Sequence, residues 1–364
     1  MKIKELAYST QQQLQASTGV SFRRTHIYEL LAASFGFNSH AAFGIDTLLV
    51  RHRPGGSRSV LRDALIRRRC MELGYQPDIA TSVVSILKSF LAEQQIGAVS
   101  LSSLISYLRD EWPIQDDEPG YDEEHLFGAV HEMCDPILLD GLGTAASKGN
   151  ASAHYALALI HSPDDENAPN AMNSYWYLQG QQGHVLKGAE KEWAEAYESR
   201  MVNMEKCRLH LKEAGRLGCQ DALLDLADRF GDPSFFEQPR CDVDADPAEV
   251  AAVAKRMGRT ADVIRWLTLA AEGGDTDAML QLIEEYDHDD LLRCWTWVYL
   301  SQLVGMDLTQ DAYVAINEDG LDYDDDVGGP AYVAGRGGVR LEQLAPAQDA
   351  AARLAAQKLF EQQA

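Results

Sequence analysis

AAEGGDTDAMLQLIEEY, residues 270–286, is the stretch of sequence that decides the fold. Two other segments align with it without gaps, AASKGNASAHYALALIH at 145–161 and AGRLGCQDALLDLADRF at 214–230. The three segments share one glycine: Gly149, Gly218 and Gly274. An alanine follows after four residues, a leucine after eight, and a histidine or an aromatic residue after twelve. Because this spacing places the three side chains on one helix face, it predicts a repeated helix after each glycine.

Two further copies extend the pattern. One centres on Gly183, where a two-residue insertion brings three residues to the matching positions: Ala189, Trp193 and Tyr197. The other centres on Gly305 and has Trp297 eight residues before its glycine, as the copy at 270–286 has Trp266. We therefore count five copies, of which the last keeps only its first half.

The copies have the length of a helical hairpin. Successive glycines are 34, 35, 56 and 31 residues apart, and two helices with their turns occupy ~34 residues in tetratricopeptide-type hairpins. The longest interval contains an insertion, about 231–255, which we expect on a loop. Glycine can end a helix in the left-handed conformation, and the small alanine lets the next helix approach closely. The positions expected in the core are Ala153, Ala222, Ala278, Leu157, Leu226, Leu282, His161, Phe230 and Tyr286.

From Trp266 to Tyr286 the pattern resembles the Sel-one-like repeat, a relative of the tetratricopeptide repeat. The resemblance covers roughly 140–310 and implies a right-handed α-solenoid that acts as a scaffold for protein partners, without catalysis. Two copies depart from it at the tryptophan position, where they have Gly141 and His210. The end of the chain, from 341 onward, is similar to the terminal helix that often closes such arrays.

The predicted fold is all-α, with an N-terminal helical domain followed by the solenoid. Residues 1–46 resemble a short helical module that precedes varied domains in bacterial plasmid and phage proteins. The predicted parts are a basic helical domain at 1–112, an acidic linker or loop at 113–125, the solenoid at 126–312, an acidic and glycine-rich loop at 313–340, and the closing helix at 341–364.

The charge is unevenly distributed along the 364 residues, whose net charge is −24. Residues 1–110 hold 13 basic and 8 acidic residues, or +5, so the remainder carries −29. Such an acidic body repels phosphate backbones and favours a basic protein or peptide partner. Nucleic acid is left only for the N-terminal domain, through an arginine stretch that includes Arg51, Arg53, Arg58, Arg62, Arg67 and Arg68. The alternative for this stretch is a solvated helix face that pairs with acidic residues of the same chain.

Motifs for chemistry are few. The six cysteines never form C-x-x-C, which predicts buried thiols in a reducing, cytoplasmic location. The strongest candidate for a metal or enzyme site is the group His125, His131 and Cys134, whose spacing fits zinc poorly. Two acidic runs imitate calcium loops but lack the required glycine and glutamate. We therefore predict a protein without catalysis, metal or cofactor, and keep the enzyme as an alternative.

A scaffold of this kind binds its partner on helix positions that point away from the core. In the first helices of the copies these positions are Tyr175, Tyr177, Arg265, Thr268, Thr296 and Tyr299. Aromatic and arginine side chains are typical anchors in protein interfaces. The alternative is that the tyrosines pack between hairpins. The function predicted from the sequence is thus a non-catalytic adaptor for a protein or peptide partner.

Overall fold

A computed structural model describes residues 2–43, 45–51, 62–109, 135–162, 171–238, 245–318, 323 and 330–363. The chain is mainly helical, as predicted, with two short antiparallel strand pairs. It divides into two compact units, Met1–Leu226 and Ala227–Ala364.

The first unit begins with helices that surround a strand pair. Its elements are α1 Ile3–Thr18, α2 Arg24–Ser34, β1 Thr47–Arg51, α3 Asp63–Glu72, α4 Pro77–Glu93, β2 Ile96–Ser100 and α5 Leu101–Leu108. The strands, which the all-α prediction missed, pair antiparallel from Thr47 with Ser100 to Arg51 with Ile96. Each is only five residues long and contains a short apolar run, which periodicity alone does not separate from a buried helix. The main core of this part is formed by α1, α2 and α4, whose Leu6, Leu14, Ile27, Leu30 and Leu87 are fully buried.

The next two helices, α6 Pro136–Ser147 and α7 Ala151–Ile160, share a core with the strands and α5. This second cluster contains Leu48, Val50, Val99, Leu104, Leu138, Leu142 and Leu157. The boundary predicted at 113–125 lies outside the described residues, and the residues on its two sides meet in this cluster. The described residues before this boundary therefore share a hydrophobic core with residues after it. Local patterns do not reveal such a contact, because the two segments are distant in the sequence.

The first unit ends with α8 Ala171–Gln181, α9 Ala189–Arg216 and most of α10 Gln220–Phe230. The repeat predicts a break within 189–216, but α9 is one continuous helix of 28 residues. The reason lies in the sequence, since no glycine or proline occurs in 189–214 and strong helix formers fill it. The copy at Gly183 therefore has no separate second helix, and its Ala189 and Trp193 are exposed rather than buried.

The five repeat glycines all end helices in the left-handed conformation, as predicted. Their φ angles lie between +83° and +101°. At Gly274 the amide donates to the Ala271 carbonyl at 3.0 Å, and the next amide, of Asp275, donates to the Ala270 carbonyl at 3.1 Å. This Schellman pattern satisfies carbonyls that the helix end leaves free, and it recurs at the other four glycines. The alanines and leucines that follow three of them are buried: Ala153, Ala222, Ala278, Leu157, Leu226 and Leu282.

The second unit continues with a 3-10 turn, six helical segments and a strand pair. They are the turn Pro233–Phe235, α11 Pro247–Arg256, α12 Thr260–Glu272, α13 Thr276–Gln281 with a π-helical turn Leu282–Tyr286, α14 Leu291–Leu303, β3 Ala312–Ile316, β4 Tyr332–Arg336 and α15 Pro346–Gln363. Two predicted loops are therefore wrong in part. The insertion at 231–255 includes most of α11, because Asp246 caps that helix and Pro247 begins it. The loop at 313–340 contains β3 and β4, and the closing helix begins at Pro346 instead of 341.

Both repeat tryptophans are buried at contacts between segments. Trp266 of α12 stacks on Phe235, with ring centroids 6.2 Å apart. Trp297 of α14 donates from Nε1 to Asp287 Oδ2 at 2.9 Å, and the Arg293 guanidinium lies 3.0 Å from the same carboxylate. The two tryptophans therefore join segments of the second unit that are separate in the sequence.

The first copy has Gly141 at this tryptophan position because a strand occupies the space. A Cβ atom on Gly141 would lie 3.3 Å from Leu48 Cδ2 of β1, whereas a Cβ on the exposed Gly143 meets no atom within 4 Å.

Gly141→Leu should lower the free energy of unfolding by about 1–3 kcal/mol through overpacking. Gly143→Leu, on the same helix, should raise it by roughly 0.5–1 kcal/mol through helix propensity. Urea unfolding followed by circular dichroism measures both, and equal shifts in the two variants would contradict the packing of β1 on α6.

Candidate protein-binding surface

Two of the predicted binding residues, Thr296 and Tyr299 of α14, are buried. The Tyr299 hydroxyl donates to Asp349 of α15, and Arg353 of the same helix lies over the tyrosine ring at 4.0 Å. The prediction that these two residues face a partner is therefore wrong. Tyr299 faces α15 instead, because the closing helix packs along α14. The Thr296 hydroxyl donates to the Leu292 carbonyl of its own helix at 2.9 Å.

The two predicted residues of α12 differ in accessibility. Arg265 is exposed, with its guanidinium 5.5 Å from the centroid of the Trp266 ring. Thr268 is half-buried, and its hydroxyl accepts a hydrogen bond at 2.8 Å from Arg293. Arg265 thus remains available for binding, whereas Thr268 serves a contact between α12 and α14.

The two tyrosines of α8 that were predicted as binding residues also differ in accessibility. Tyr177 is half-buried, and its ring lies 5.1 Å from that of Tyr197 on α9. Tyr175 is exposed and makes an edge contact with the ring of Trp176. Tyr177 therefore packs between helices, which was the alternative interpretation, and Tyr175 faces outward.

Tyr175 belongs to a larger set of exposed apolar side chains on α8, on α9 and in the turn between them. We call this set the α8–α9 surface: Tyr175, Leu178, Val185, Trp193, Met201 and Val202. Their exposed fractions lie between 39% and 83%. Of these six residues the sequence analysis predicted only Tyr175 as a binding residue. It placed Trp193 in the core, because Trp193 matches a core position of the repeat. The spacing of Trp193, Tyr197 and Met201 at i, i+4 and i+8 was a signal for an apolar stripe on one continuous helix.

The exposure follows from how α9 is packed along its length. In its second half Cys207, Leu211 and Ala214 are buried at i, i+4 and i+7, and this half contacts α7 through His210. Along residues 189–206 no side chain is buried. There α9 packs against α8, whose Tyr177 meets Tyr197. A two-helix pair buries little apolar surface, so its remaining apolar side chains stay in solvent.

The charge beside the α8–α9 surface is negative. The end of the turn and the first turns of α9 hold Glu190, Glu192, Glu195 and Glu198 against Lys187, Lys191 and Arg200. Lys191 lies 3.5 Å from Glu195, an exposed pair that contributes little to stability. Carboxylates therefore outnumber cations next to exposed tryptophan and leucine side chains, an arrangement that complements a partner with apolar and basic residues.

A second feature missed by sequence reasoning is a cluster of three histidines between α7 and α9. The Nδ1 atoms of His154 and His210 are 2.9 Å apart, and the ring of His161 stacks on His210 with centroids 6.1 Å apart. Burial, and the positive charge that His154, His161 and Lys206 can carry, lower the pKa of His210 to about 4. Burial also lowers the pKa of His161. Among the described residues, no group of His, Cys, Asp and Glu is arranged to hold a metal ion.

The remaining candidates for chemistry or nucleic acid are only partly described. His125, His131 and Cys134 lie outside the described residues, as do Arg53 and Arg58. The Arg51 guanidinium lies 3.8 Å from the Asp135 carboxylate. Arg51, at the end of β1, thus faces a carboxylate of its own chain.

The predicted arginines at the start of α3 and on it are exposed. Arg68 donates to Asn38 Oδ1 at 2.9 Å and lies 3.5 Å from Glu72. Arg62 and Arg67 are exposed. Binding of nucleic acid through these side chains stays a prediction.

Comparison with known proteins gives no match: no family model fits the chain, and no curated protein or solved structure is significantly similar to it. The resemblances to Sel-one-like repeats and to the N-terminal module of plasmid and phage proteins therefore stay predictions. In the described part of the chain, no helix has the length and apolar character needed to cross a bilayer. The predicted cytoplasmic location also stays a prediction.

The histidine cluster makes stability depend on pH. The folded chain keeps His210 neutral down to about 4, whereas in the unfolded chain it protonates near ~6.5. The unfolded state therefore binds more protons between these values, and the free energy of unfolding falls as pH falls from 6.5 toward 4. Between pH 7 and pH 5 this effect should lower the free energy of unfolding of the unmodified chain by on the order of 1 kcal/mol. The His210→Gln variant should not show this decrease.

Urea unfolding at several pH values measures this loss. His184→Gln, which changes an exposed histidine outside the cluster, is the matched control and should follow the unmodified chain. The buried neutral state of His210 would be contradicted if both variants lost as much stability below pH 6.5 as the unmodified chain.

Proposed function

We propose that this chain is a non-catalytic scaffold, a right-handed α-solenoid of Sel-one-like helical hairpins that binds a protein partner through the α8–α9 surface. The observation that carries the proposal is the exposure of Leu178, Trp193 and their apolar neighbours on one helical pair. Large exposed apolar patches on soluble proteins mark interaction sites, and the six side chains of this set are all exposed on one helical pair and its turn. Tryptophan and tyrosine are also the side chains most enriched in binding hot spots.

The solenoid part of the proposal is supported by two contacts between copies that involve repeat positions. His161, twelve residues after Gly149, stacks on His210, eight residues before Gly218. Trp297, eight residues before Gly305, bonds to Asp287, which directly follows Tyr286 of the preceding copy. At the second place the end of one copy meets the first helix of the next, as stacking of successive hairpins requires. At the first place the contact joins the first copy to the third, because the second helix of the intervening copy at Gly183 is part of the continuous α9.

The non-catalytic part is supported by the state of the described cysteines. Cys70, Cys207 and Cys294 are buried. Burial raises the pKa of the Cys70 and Cys294 thiols to about 11, and it also raises the pKa of Cys219. A thiol with a raised pKa carries little thiolate at neutral pH, which is the form that acts as a nucleophile. These side chains therefore fit structural roles.

The partner is expected to combine apolar anchors with basic residues. The α8–α9 surface offers tryptophan, tyrosine and leucine side chains for burial, and the glutamates of α9 lie beside them. Apolar burial supplies most of the affinity in such an interface, whereas the charges guide encounter and exclude acidic proteins. A basic amphipathic helix, or a basic helical surface of a folded protein, matches both features.

Affinity capture tests the proposal, with the full chain as bait in extract of its source cells. The matched pair is Leu178→Glu and Leu354→Glu, since the two leucines are 55% and 57% exposed, on α8 and α15. A bound protein should be retained by the unmodified chain and by Leu354→Glu, and reduced about tenfold or more by Leu178→Glu, because a charge replaces an apolar anchor. Equal retention by the two variants, with circular dichroism unchanged, would contradict the role of the α8–α9 surface.

A further inference from the structure

A small cavity lies in the first unit, where α1, α2, β1 and α6 meet. Its volume is about 50 Å³. Sites for cofactors and drug-sized ligands are larger, at ~300–1,000 Å³. The cavity therefore admits only a few non-hydrogen atoms, and the residues of its wall all belong to the described part of the chain.

The inside of the cavity is apolar because α6 brings small residues against β1. Gly141, Thr144 and Ala145 lie at i, i+3 and i+4 and therefore share one helix face. The buried apolar part of the wall comes from α2, from β1 and from the segment between them: Leu31, Phe43, Leu48 and Leu49. Contact with such a wall stabilises an aliphatic group by removing it from water.

Four polar side chains of the wall can donate hydrogen bonds. They are Tyr28 and Thr47 with their hydroxyls, His40 with its imidazole and Lys148 with its ammonium group. None of the four side chains makes a hydrogen bond to a residue that the structure describes, and the wall contains no carboxylate. In a chain with a net charge of −24, a cavity lined by one lysine, one histidine and no acidic residue is suited to an anion.

The carboxylate that lies beside His40 has partners of its own. Glu29 accepts a hydrogen bond at 3.3 Å from the His40 backbone amide and forms an ion pair with Arg69. Burial lowers the pKa of the His40 imidazole against the opposing effect of Glu29, and the positive charge of Lys148 adds to the decrease. The imidazole and the ammonium group therefore lie close enough to act on one ligand, and the charge that stays available is that of Lys148.

We infer that the cavity binds a short-chain monocarboxylate such as butyrate, with the aliphatic chain inside and the carboxylate at Lys148. Thr144 and Lys148 are the exposed residues of the wall, so the charged end of the ligand stays partly hydrated there. Burial of the whole ion would cost much more. The site is separate from the α8–α9 surface and does not depend on the proposed function.

Nuclear magnetic resonance tests this inference on the full chain, with isotope-labelled alanine and leucine methyl groups and sodium butyrate as the probe. The methyl signals of Leu48 and Ala145 should shift saturably, with a dissociation constant on the order of 1 mM, because so few atoms can contact the cavity. Nuclear Overhauser effects should join these methyl groups to the butyrate methyl group.

Three other small molecules, at constant ionic strength, test the chemical class of the ligand. Acetate should bind about tenfold more weakly than butyrate, since it lacks two methylene groups that the wall would bury. 1-Butanol and butylammonium match butyrate in chain length but lack its negative charge. Both should bind at least about tenfold more weakly, because Lys148 attracts only the anion.

Matched variants place the binding in the cavity. Lys148→Glu should weaken butyrate binding about tenfold or more, whereas Lys187→Glu, at an exposed lysine before α9, should not. Ala145→Val narrows the cavity and should weaken the binding of butyrate more than that of acetate. Leu178→Glu should leave butyrate binding unchanged, which separates this test from that of the proposed function.

Four results would overturn the inference. The first is no saturable shift of the Leu48 and Ala145 methyl signals at about 20 mM butyrate. The second is saturable shifts at other methyl groups instead. The third is equal binding of 1-butanol or butylammonium, since the ligand is then not selected as an anion. The fourth is an equal effect of Lys148→Glu and Lys187→Glu, since the carboxylate then does not lie at Lys148.

Discussion

The architecture depends on one conformational constraint: a helix that stops and reverses needs a residue in the left-handed region, and glycine takes it without a steric penalty. At Gly149, Gly183, Gly218, Gly274 and Gly305 the chain meets this need, with φ between +83° and +101°. Small and branched side chains at fixed distances after three of these glycines then lie in the core. Because a single hairpin cannot bury its own apolar face, each copy relies on its neighbours. The contact of Trp297 with Asp287 joins two successive copies, whereas the contact of His161 with His210 joins the first copy to the third.

The α8–α9 surface lies where no glycine ends the helix at the expected position. No glycine or proline interrupts 189–214, so α9 continues for 28 residues and its first half extends beyond the part that packs on α7. Only α8 is described beside that half, and side chains that repeat periodicity assigns to a core remain in solvent. Exposed apolar surface has a cost in solubility, which a binding role explains. The neighbouring glutamates are the reason that we propose a basic partner. The positions of the helix-ending glycines therefore explain both the packing of the copies and the exposure of the first half of α9.

Sequence reasoning succeeded where a local pattern determines the outcome, and failed where distant segments meet. The helix-ending glycines and the buried alanines and leucines of three copies follow from spacing alone. Tyr299 was misplaced because α15, which covers it, comes fifty residues later. The pair β1–β2 joins Thr47 to Ser100, and short apolar runs do not distinguish strand from helix. The predicted burial of Trp193 was wrong for a different reason. The repeat alignment assumed a turn within 189–216, whereas these residues form one continuous helix. The histidine cluster was visible only as two repeat positions, and their contact needed the fold.

The central claim is that Leu178 and its neighbours contact a protein in the cell. Photocrosslinking tests it most directly, with a benzophenone amino acid incorporated in place of Leu178 and, as a control, in place of Leu354. The account predicts that irradiation of living cells yields one crosslinked protein from position 178, rich in basic residues, and none of that mass from position 354. Identical adducts at both positions, or adducts only at position 354, would contradict it.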